Sequence, residues 1–420
     1  MNMNKQDFNS FSRQTASALS KMYVEVYKKE VYMKPITENN RIIAIDMMRG
    51  FAIFGIFLVN MLSFHTPFIY IDPYTWWDSG IDRNLYTVID IFVQASFYPL
   101  FALLFGYGVM ILRERVMAKG LSFPIIAFRR FTFLLILGLL HALLIWHGDI
   151  LVTYAVIGFI FLLFMKMSAK SLIITGIVMY VLPNILLSLL LLVAMMLEPG
   201  SGVTMFVNIE SYIHTYQQGS FVEITEQRIE DWYFTNNFGT LPLLVITILP
   251  LFLIGAGVQK LKLFEHIELH QSIIKKAAVF TLIAGLAIKA IPYVWDENLA
   301  AQYIQDTFGG PLLAIGYSLS IATLATMNKL RKILEPLAYV GRLSISNYLL
   351  QSILSTLLFY GYGLGFYGKV SIIEGTVIVI IVFIFQIFLS KLWMKHYYYG
   401  PVEWLWRVFT YMKKPELKRK

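Results

Sequence analysis

The chain has 420 residues, 57% of them hydrophobic and 15% charged, with a formal charge of +9 and no cysteine. Its mean hydropathy of +0.63 excludes an ordinary soluble domain and points to a multi-span membrane protein. The missing cysteines exclude disulfides, thiolate nucleophiles and zinc thiolate sites.

Residues 1–40 are polar and mixed in charge, with no short apolar run ahead of a small-residue cleavage site, so they read as a cytoplasmic extension without a signal peptide. Phe8, Phe11, Met22, Tyr23, Val26 and Tyr27 fit one side of an amphipathic helix ending in Lys28 and Lys29, suited to an anionic leaflet. A solvated tail is the plainer reading.

Ten apolar runs follow, each roughly long enough to cross about 30 Å of hydrocarbon at 1.5 Å per residue. They cover 42–64, 85–112, 125–147, 149–165, 171–197, 241–259, 276–295, 309–328, 336–360 and 370–394. The expected fold is therefore an all-α polytopic bundle of about ten transmembrane helices, one membrane domain over 41–412. Its first five spans occupy 41–197, an outer loop 198–240, and five more spans with an interfacial helix 241–412. With the N-terminus inside, the inner segments carry 29 Lys and Arg and the outer loops only Arg83, Arg228 and Lys369. That split predicts both termini in the cytoplasm. The outer segments carry 13 acids, so the positive charge is a topology signal and gives no reason to expect nucleic acid as a partner.

In the first span Asp46 and Arg49 are three apart and neighbours on one helix face, where pairing lowers the cost of burying them. Asn60 lies about 20° round on the same stripe and about 16 Å further out from Arg49. The second span carries Asp90, Gln94 and Ser96 and ends in Gly106 and Gly108, which lie far from any strand signal and read as close-packing glycines. The third span climbs to His141 and turns through Trp146, His147, Gly148 and Asp149 into the fourth. Ionisable groups in hydrocarbon are expensive and usually functional, which makes this hairpin the first candidate for chemistry. A neutral helix histidine beside an N-capping aspartate is the structural alternative.

The loop 198–240 is rich in Tyr, Gln and acids, a composition suited to stacking on a polyhydroxylated ligand and equally to a solvated cap. In the ninth span, opening at Pro336, Ser344, Asn347, Gln351 and Ser355 recur at three and four, giving a polar face that lines a cavity or binds another helix. Beyond the tenth span, Gly400 to Tyr411 describes an aromatic helix at the inner interface.

Four motifs carry a family resemblance: Arg41-x4-Asp46-x2-Arg49-Gly50 continuing to Asn60, His141 to Gly148-Asp149 and Tyr154, Gly341-Arg342-x4-Asn347-Tyr348-x2-Gln351-Ser352, and Gly400-Pro401-x-Glu403-Trp404-x2-Arg407. Over 41–412 the chain resembles the bacterial YeiB-like family, the domain of unknown function 418. The first-span motif is similar to that of membrane acyltransferases, including heparan-alpha-glucosaminide N-acetyltransferase. That resemblance implies an acyltransferase moving an acyl group from cytoplasmic acyl-coenzyme A, such as acetyl-coenzyme A, to a sugar, lipid or cell-wall acceptor outside a bacterial plasma membrane. It implies His141 as base with Asp149 as its partner, although His65 at the outer end of the first span is an alternative base. Asp46, Arg49, Asn60, Arg342, Asn347 and Gln351 are the expected coenzyme-binding residues, and no metal is implied. The expected partners are the bilayer, acyl-coenzyme A, the acceptor and a second copy of the chain. A transporter or flippase using Asp46, Arg49, Asp90 and Lys289 is the competing reading, and a non-catalytic membrane partner protein the third.

Overall fold

The computed structural model describes residues 41–77, 80–197, 207–295 and 297–419, so the amphipathic helix expected within 1–40 lies outside the described residues. In chain order the helices are α1 (Ile43–His65), α2 (Gly80–Phe92), α3 (Phe97–Ala118), α4 (Phe123–Leu144) and α5 (Leu151–Phe161). Then come α6 (Ala169–Leu197), α7 (Ile209–Gln218), α8 (Phe221–Asn236), α9 (Leu241–Lys260) and α10 (Gln271–Lys289). The last five are α11 (Gly310–Ala325), α12 (Asn328–Arg342), α13 (Ser344–Phe359), α14 (Ile372–His396) and α15 (Pro401–Tyr411). Among the described residues no strand forms, only an isolated bridge between Tyr397 and Lys418.

Each of the ten apolar runs is helical, and among the described residues eight helical stretches are long and apolar enough to cross a bilayer. The run at 149–165 yields a helical stretch of only 14 residues, Leu151–Phe164. At 1.5 Å per residue it covers about 21 Å. The run at 336–360 is cut in two at Leu343, whose backbone leaves the helical region (φ −116°, ψ 32°). Here the helix does not start at Pro336; α12 begins at Asn328 and runs through that proline. Pro336 supplies no N–H to the carbonyl one turn back, so the bond is missing without the helix ending.

Two close approaches fix the bundle around its centre. A Cβ on Gly50 would lie 1.9 Å from the Leu337 carbonyl oxygen, and one on Gly341 would lie 1.9 Å from that of Asp46, so α1 and α12 touch backbone to backbone. Small residues allow such contact in membrane bundles, and here the contact brings Arg342 onto Asp46. Between α2 and α3 the chain unwinds at Ala95, which holds a positive φ of 55°. The Ala95 carbonyl meets the bare Cα of Gly310 at the start of α11.

The bundle has two distinct ends. One, here the basic end, gathers Arg41, Arg115, Arg130, Arg342 and Arg407 around an opening closed from below by α15. The other is roofed by α7, α8 and the turn at 360–368, tied together where Gly361 N–H donates to the Tyr216 carbonyl (2.8 Å) and Gln217 Nε2 to that of Tyr367 (2.8 Å). The loop 198–240 is thus largely a helical cap, with Tyr212, Tyr216, Arg228 and Asp231 buried beneath it.

Candidate functional site

The hairpin between α4 and α5 builds a paired histidine and aspartate. His141 Nδ1 lies 2.8 Å from Asp149 Oδ1, and the other carboxylate oxygen accepts the Val152 N–H at 2.7 Å. Asp149 therefore both caps the first turn of α5 and orients the imidazole, so the structural and functional readings of this residue coexist. An ionised carboxylate only accepts, so the pair places the ring proton on Nδ1 and leaves Nε2 with a free lone pair. His141 is 1% exposed and its Nε2 has no hydrogen-bond partner. The Tyr348 ring packs against it at 5.1 Å, and Tyr348 is held by its hydroxyl donating to the Gly148 carbonyl at 3.3 Å.

His65 has a different setting. It is 0% exposed, neither ring nitrogen has a partner, and it packs against Phe359 at 5.6 Å beneath the cap. No carboxylate orients it, and of the two histidines only His141 has the arrangement of a general base.

A cavity of about 680 Å³ opens at the basic end, lined by Arg41, Arg49, Arg115, Arg130, Lys262, Arg342 and Arg407 against Asp46, Glu114, Glu265 and Glu403. A chamber of about 150 Å³ continues from it, sharing Arg49, Arg130, Arg342 and Arg407 and reaching Leu134, Leu151 and Tyr154. Leu134 lies seven residues before His141 on α4, about 10 Å. On the capped side a third chamber of about 90 Å³ is lined by Asn60, Tyr98, Gly148, Ile150 and Tyr348. Neither His141 nor Asp149 lines these chambers; the second reaches Tyr154, and the third reaches Tyr348, the residue whose ring packs against His141.

Asp46 is the hub of the basic end. Arg41 Nη1 (3.3 Å) and Arg342 Nε (3.2 Å) reach its Oδ2, while Arg49 Nη1 stands 3.7 Å from Oδ1. The expected Asp46–Arg49 pair exists but is the longest of the three contacts. Arg49 extends into both chambers, passing the bare Cα of Gly108. Gly106 meets the Phe252 carbonyl of α9, the close packing expected of it.

The expected coenzyme-binding residues do not form one cluster. Asp46, Arg49 and Arg342 surround the basic cavity, whereas Asn60 lines the separate third chamber. Asn347 and Gln351 are taken up by α14: Asn347 Nδ2 donates to Ser390 Oγ (3.1 Å), Gln351 Nε2 to Gln386 Oε1 (2.8 Å), and Gln386 Nε2 back to the Asn347 carbonyl (2.9 Å). Both roles open to that polar face are realised: Asn347 and Gln351 bind Gln386 and Ser390 of the neighbouring helix, while Ser344 lines the second chamber.

Sequence reasoning missed three functional placements. Glu403 on α15 accepts the N–H groups of Ile345 (2.8 Å) and Ser346 (3.0 Å), and so caps α13 from another helix while lining both basic chambers. Burial raises its pKa, with the Ser346 contacts opposing. The interfacial helix is a floor: Trp406 Nε1 donates to the Arg130 carbonyl (2.8 Å), and the Arg130 guanidinium stacks 3.6 Å over the Trp406 ring. His147 stands 3.6 Å from Asp231 under the cap.

Burial lowers the His147 pKa from the ordinary imidazole value of 6.5, Asp231 opposing and Arg228 and His141 assisting. Below about pH 6.5 the unfolded chain takes up a proton that the folded cap resists, so stability present at neutral pH is lost as pH falls. The thermal midpoint should therefore drop between pH 7.5 and 5.5, and His147→Gln should flatten that part of the profile. An unchanged profile in the variant would rule the contribution out.

A separate buried network joins the helix break to α10. Lys289 Nζ lies 2.7 Å from Asp306 Oδ1 and 3.9 Å from Asp90 Oδ1, while Asp90 Oδ2 accepts from Tyr293 (2.8 Å), Tyr74 (3.2 Å) and Gln305. Gln305–Gly309 is a π-helix, a local widening often found at functional sites.

These features define an all-α polytopic membrane protein with a buried histidine–aspartate pair, a cation-lined cavity at one end and a helical cap at the other. The family model described as "Protein of unknown function (DUF418)" matches residues 258–413. "Uncharacterized protein YxaH" of Bacillus subtilis (strain 168) is 34% identical over 411 residues, covering 92% of this chain and 98% of that protein. "Uncharacterized protein YeiB" of Escherichia coli (strain K12) is 30% identical over 394 residues, covering 88% and 96%. "Uncharacterized 39.9 kDa protein in amylase 3'region" of Bacillus acidopullulyticus is 25% identical over 406 residues, covering 91% and 97%. The chain belongs to the DUF418 family.

Proposed function

We propose that this protein is a membrane acyltransferase of the bacterial plasma membrane, taking an acyl group from acyl-coenzyme A at the basic, cytoplasmic end and passing it to an acceptor on the capped, outer side. The observation that carries this reading is the oriented His141–Asp149 pair in a bundle with a cation-lined cavity at one end and a helical cap at the other. The donor set suits coenzyme phosphates: several guanidiniums converge, and Arg130 Nε is buried without a partner. Arg130 and His141 are eleven residues apart on α4, so they share one stripe about 16 Å apart, the reach left to an extended pantetheine arm.

In the reaction His141 Nε2 accepts the proton of the acceptor hydroxyl or amine, and Asp149 stabilises the imidazolium that results. The acceptor heteroatom bonds to the thioester carbonyl carbon, the carbon–sulfur bond breaks, and the imidazolium returns its proton to sulfur. Free coenzyme A and the acylated acceptor leave on opposite sides.

Binding of acetyl-coenzyme A to the purified protein tests the donor site. Removing a charge-assisted contact costs about 1.5–3 kcal/mol, so Arg130→Gln and Arg407→Gln should each weaken binding roughly 10-fold or more. No binding by the wild type, or equal binding by both variants, would exclude this placement of the coenzyme.

The Asp90–Lys289–Asp306 network at an unwound helix favours transport as a second reading, since transporters place ion sites at discontinuous helices. Turnover of a solute without coenzyme release, lost in Lys289→Met, would support it.

A further inference from the structure

Arg228 is unlike the other cations of the capped side. Arg83 and Lys369 are exposed, whereas Arg228 is 0% exposed. Lys289, equally buried, has Asp306 and Asp90 beside it, but among the described residues no carboxylate lies within ion-pair distance of Arg228. Asp231, one turn along α8, is already occupied by the hydroxyls of Tyr70 (2.9 Å), Tyr212 (2.7 Å) and Tyr216 (2.6 Å) and by Gln227 (3.1 Å).

The guanidinium spends its Nη1 on the Leu143 carbonyl (2.9 Å) and Thr225 Oγ1 (3.4 Å), while among the described residues Nε and Nη2 have no partner. Those two nitrogens form one edge of the fork, the edge that grips a carboxylate or phosphate with two parallel hydrogen bonds. A buried charge without a counter-ion is costly, and the two free donors add to that cost. The Tyr360 hydroxyl beneath the cap is likewise buried and unpartnered, its ring 4.7 Å from that of Tyr216. The Phe221 ring centroid lies 5.7 Å from the guanidinium carbon, and Phe221 is itself 46% exposed, which makes it the side chain to remove when testing access.

We infer that Arg228 is an oxyanion-binding site under the outer cap, gripping a phosphate or carboxylate group of a hydroxylated ligand through its Nε–Nη2 edge, with Tyr360 as an additional hydrogen-bond donor. Because Nη1 holds Leu143, two residues beyond His141, an anion bound here lies beside the end of the helix that carries the base. On the acyl-transfer reading, on which only this last step rests, the acceptor is an anionic hydroxylated compound and Arg228 positions it.

The test is thermal unfolding of the purified protein without acyl donor, so that it stands apart from any failure of acyl transfer. The probes are sn-glycerol 3-phosphate and glucuronate, with glycerol and glucose as neutral controls. Added short-chain phosphatidylglycerol against phosphatidylcholine distinguishes a lipid headgroup from a soluble source. Saturating anion should raise the midpoint by about 2 °C or more over the neutral control. Arg228→Met and Arg228→Gln should abolish that shift, Tyr360→Phe should reduce it, and Phe221→Ala should let it develop at lower concentration. Arg83→Gln, at an exposed cation of the same side, should keep it. Arg228→Met should also unfold at a higher temperature than the wild type without ligand, because it removes an uncompensated buried charge. A shift that persists in the Arg228 variants, or no anion-specific shift in the wild type together with a lowered midpoint in Arg228→Met, would show a purely structural arginine and overturn the assignment.

Discussion

His141→Ala should reduce acyl transfer by about 100-fold to 10,000-fold, the usual loss when a general base is removed. His65→Ala should leave the rate near that of the wild type. The two histidines are buried alike, so burial does not separate them; the carboxylate does. Asp149 Oδ1 sits 2.8 Å from His141 Nδ1, whereas His65 has no hydrogen-bond partner on either nitrogen. Asp149→Asn tests the same point from the other side. An amide can still accept the Val152 N–H and cap α5, but it does not stabilise an imidazolium, so turnover should fall with little change in thermal midpoint. Equal loss in His65→Ala would transfer the role to the first span.

Asp46→Asn should destabilise the protein by about 3–5 kcal/mol, the range seen when one member of a buried ion pair is removed. The effect is large because three guanidiniums share this carboxylate, and neutralising it leaves Arg41, Arg49 and Arg342 facing one another. Arg49→Gln should cost less, since its contact is the longest and its side chain is 31% exposed to the cavity. Its main consequence should be weaker coenzyme binding. Unfolding midpoints and acetyl-coenzyme A affinity measured on both variants separate the two roles, and equal stability losses would contradict the hub assigned to Asp46.

The hairpin was legible in the sequence because its parts are local. A histidine near the end of one apolar run and an aspartate eight residues on, across a turn too short for any other connection, have few ways to avoid each other. Asp46 and Arg49 were legible for the same reason, three residues apart on one helix. Arg342 reaches Asp46 only because Gly50 and Gly341 let α1 and α12 touch, a contact between residues 291 apart that no periodicity announces. The break at Leu343 follows Gly341 by two residues, and beyond it Glu403 caps the start of α13 from 57 and 58 residues away. The polar face of Asn347 and Gln351 suits a cavity and a partner helix equally well, and the facing Gln386 and Ser390 decide between them. Arg228 could be counted in the sequence as one of three outer cations, but its burial follows from the way α8 folds back over the end of α4.

Transfer through the His141–Asp149 pair is tested most directly by coenzyme release from sealed vesicles holding the full chain. Acetyl-coenzyme A is supplied at the basic end, and a cell-envelope extract at the capped end. Free coenzyme A should accumulate only when both are present, on the side to which the thioester was added, and only with the wild-type histidine. Release that is independent of the extract, or equal in wild type and His141→Ala, would contradict transfer across the bilayer through this pair.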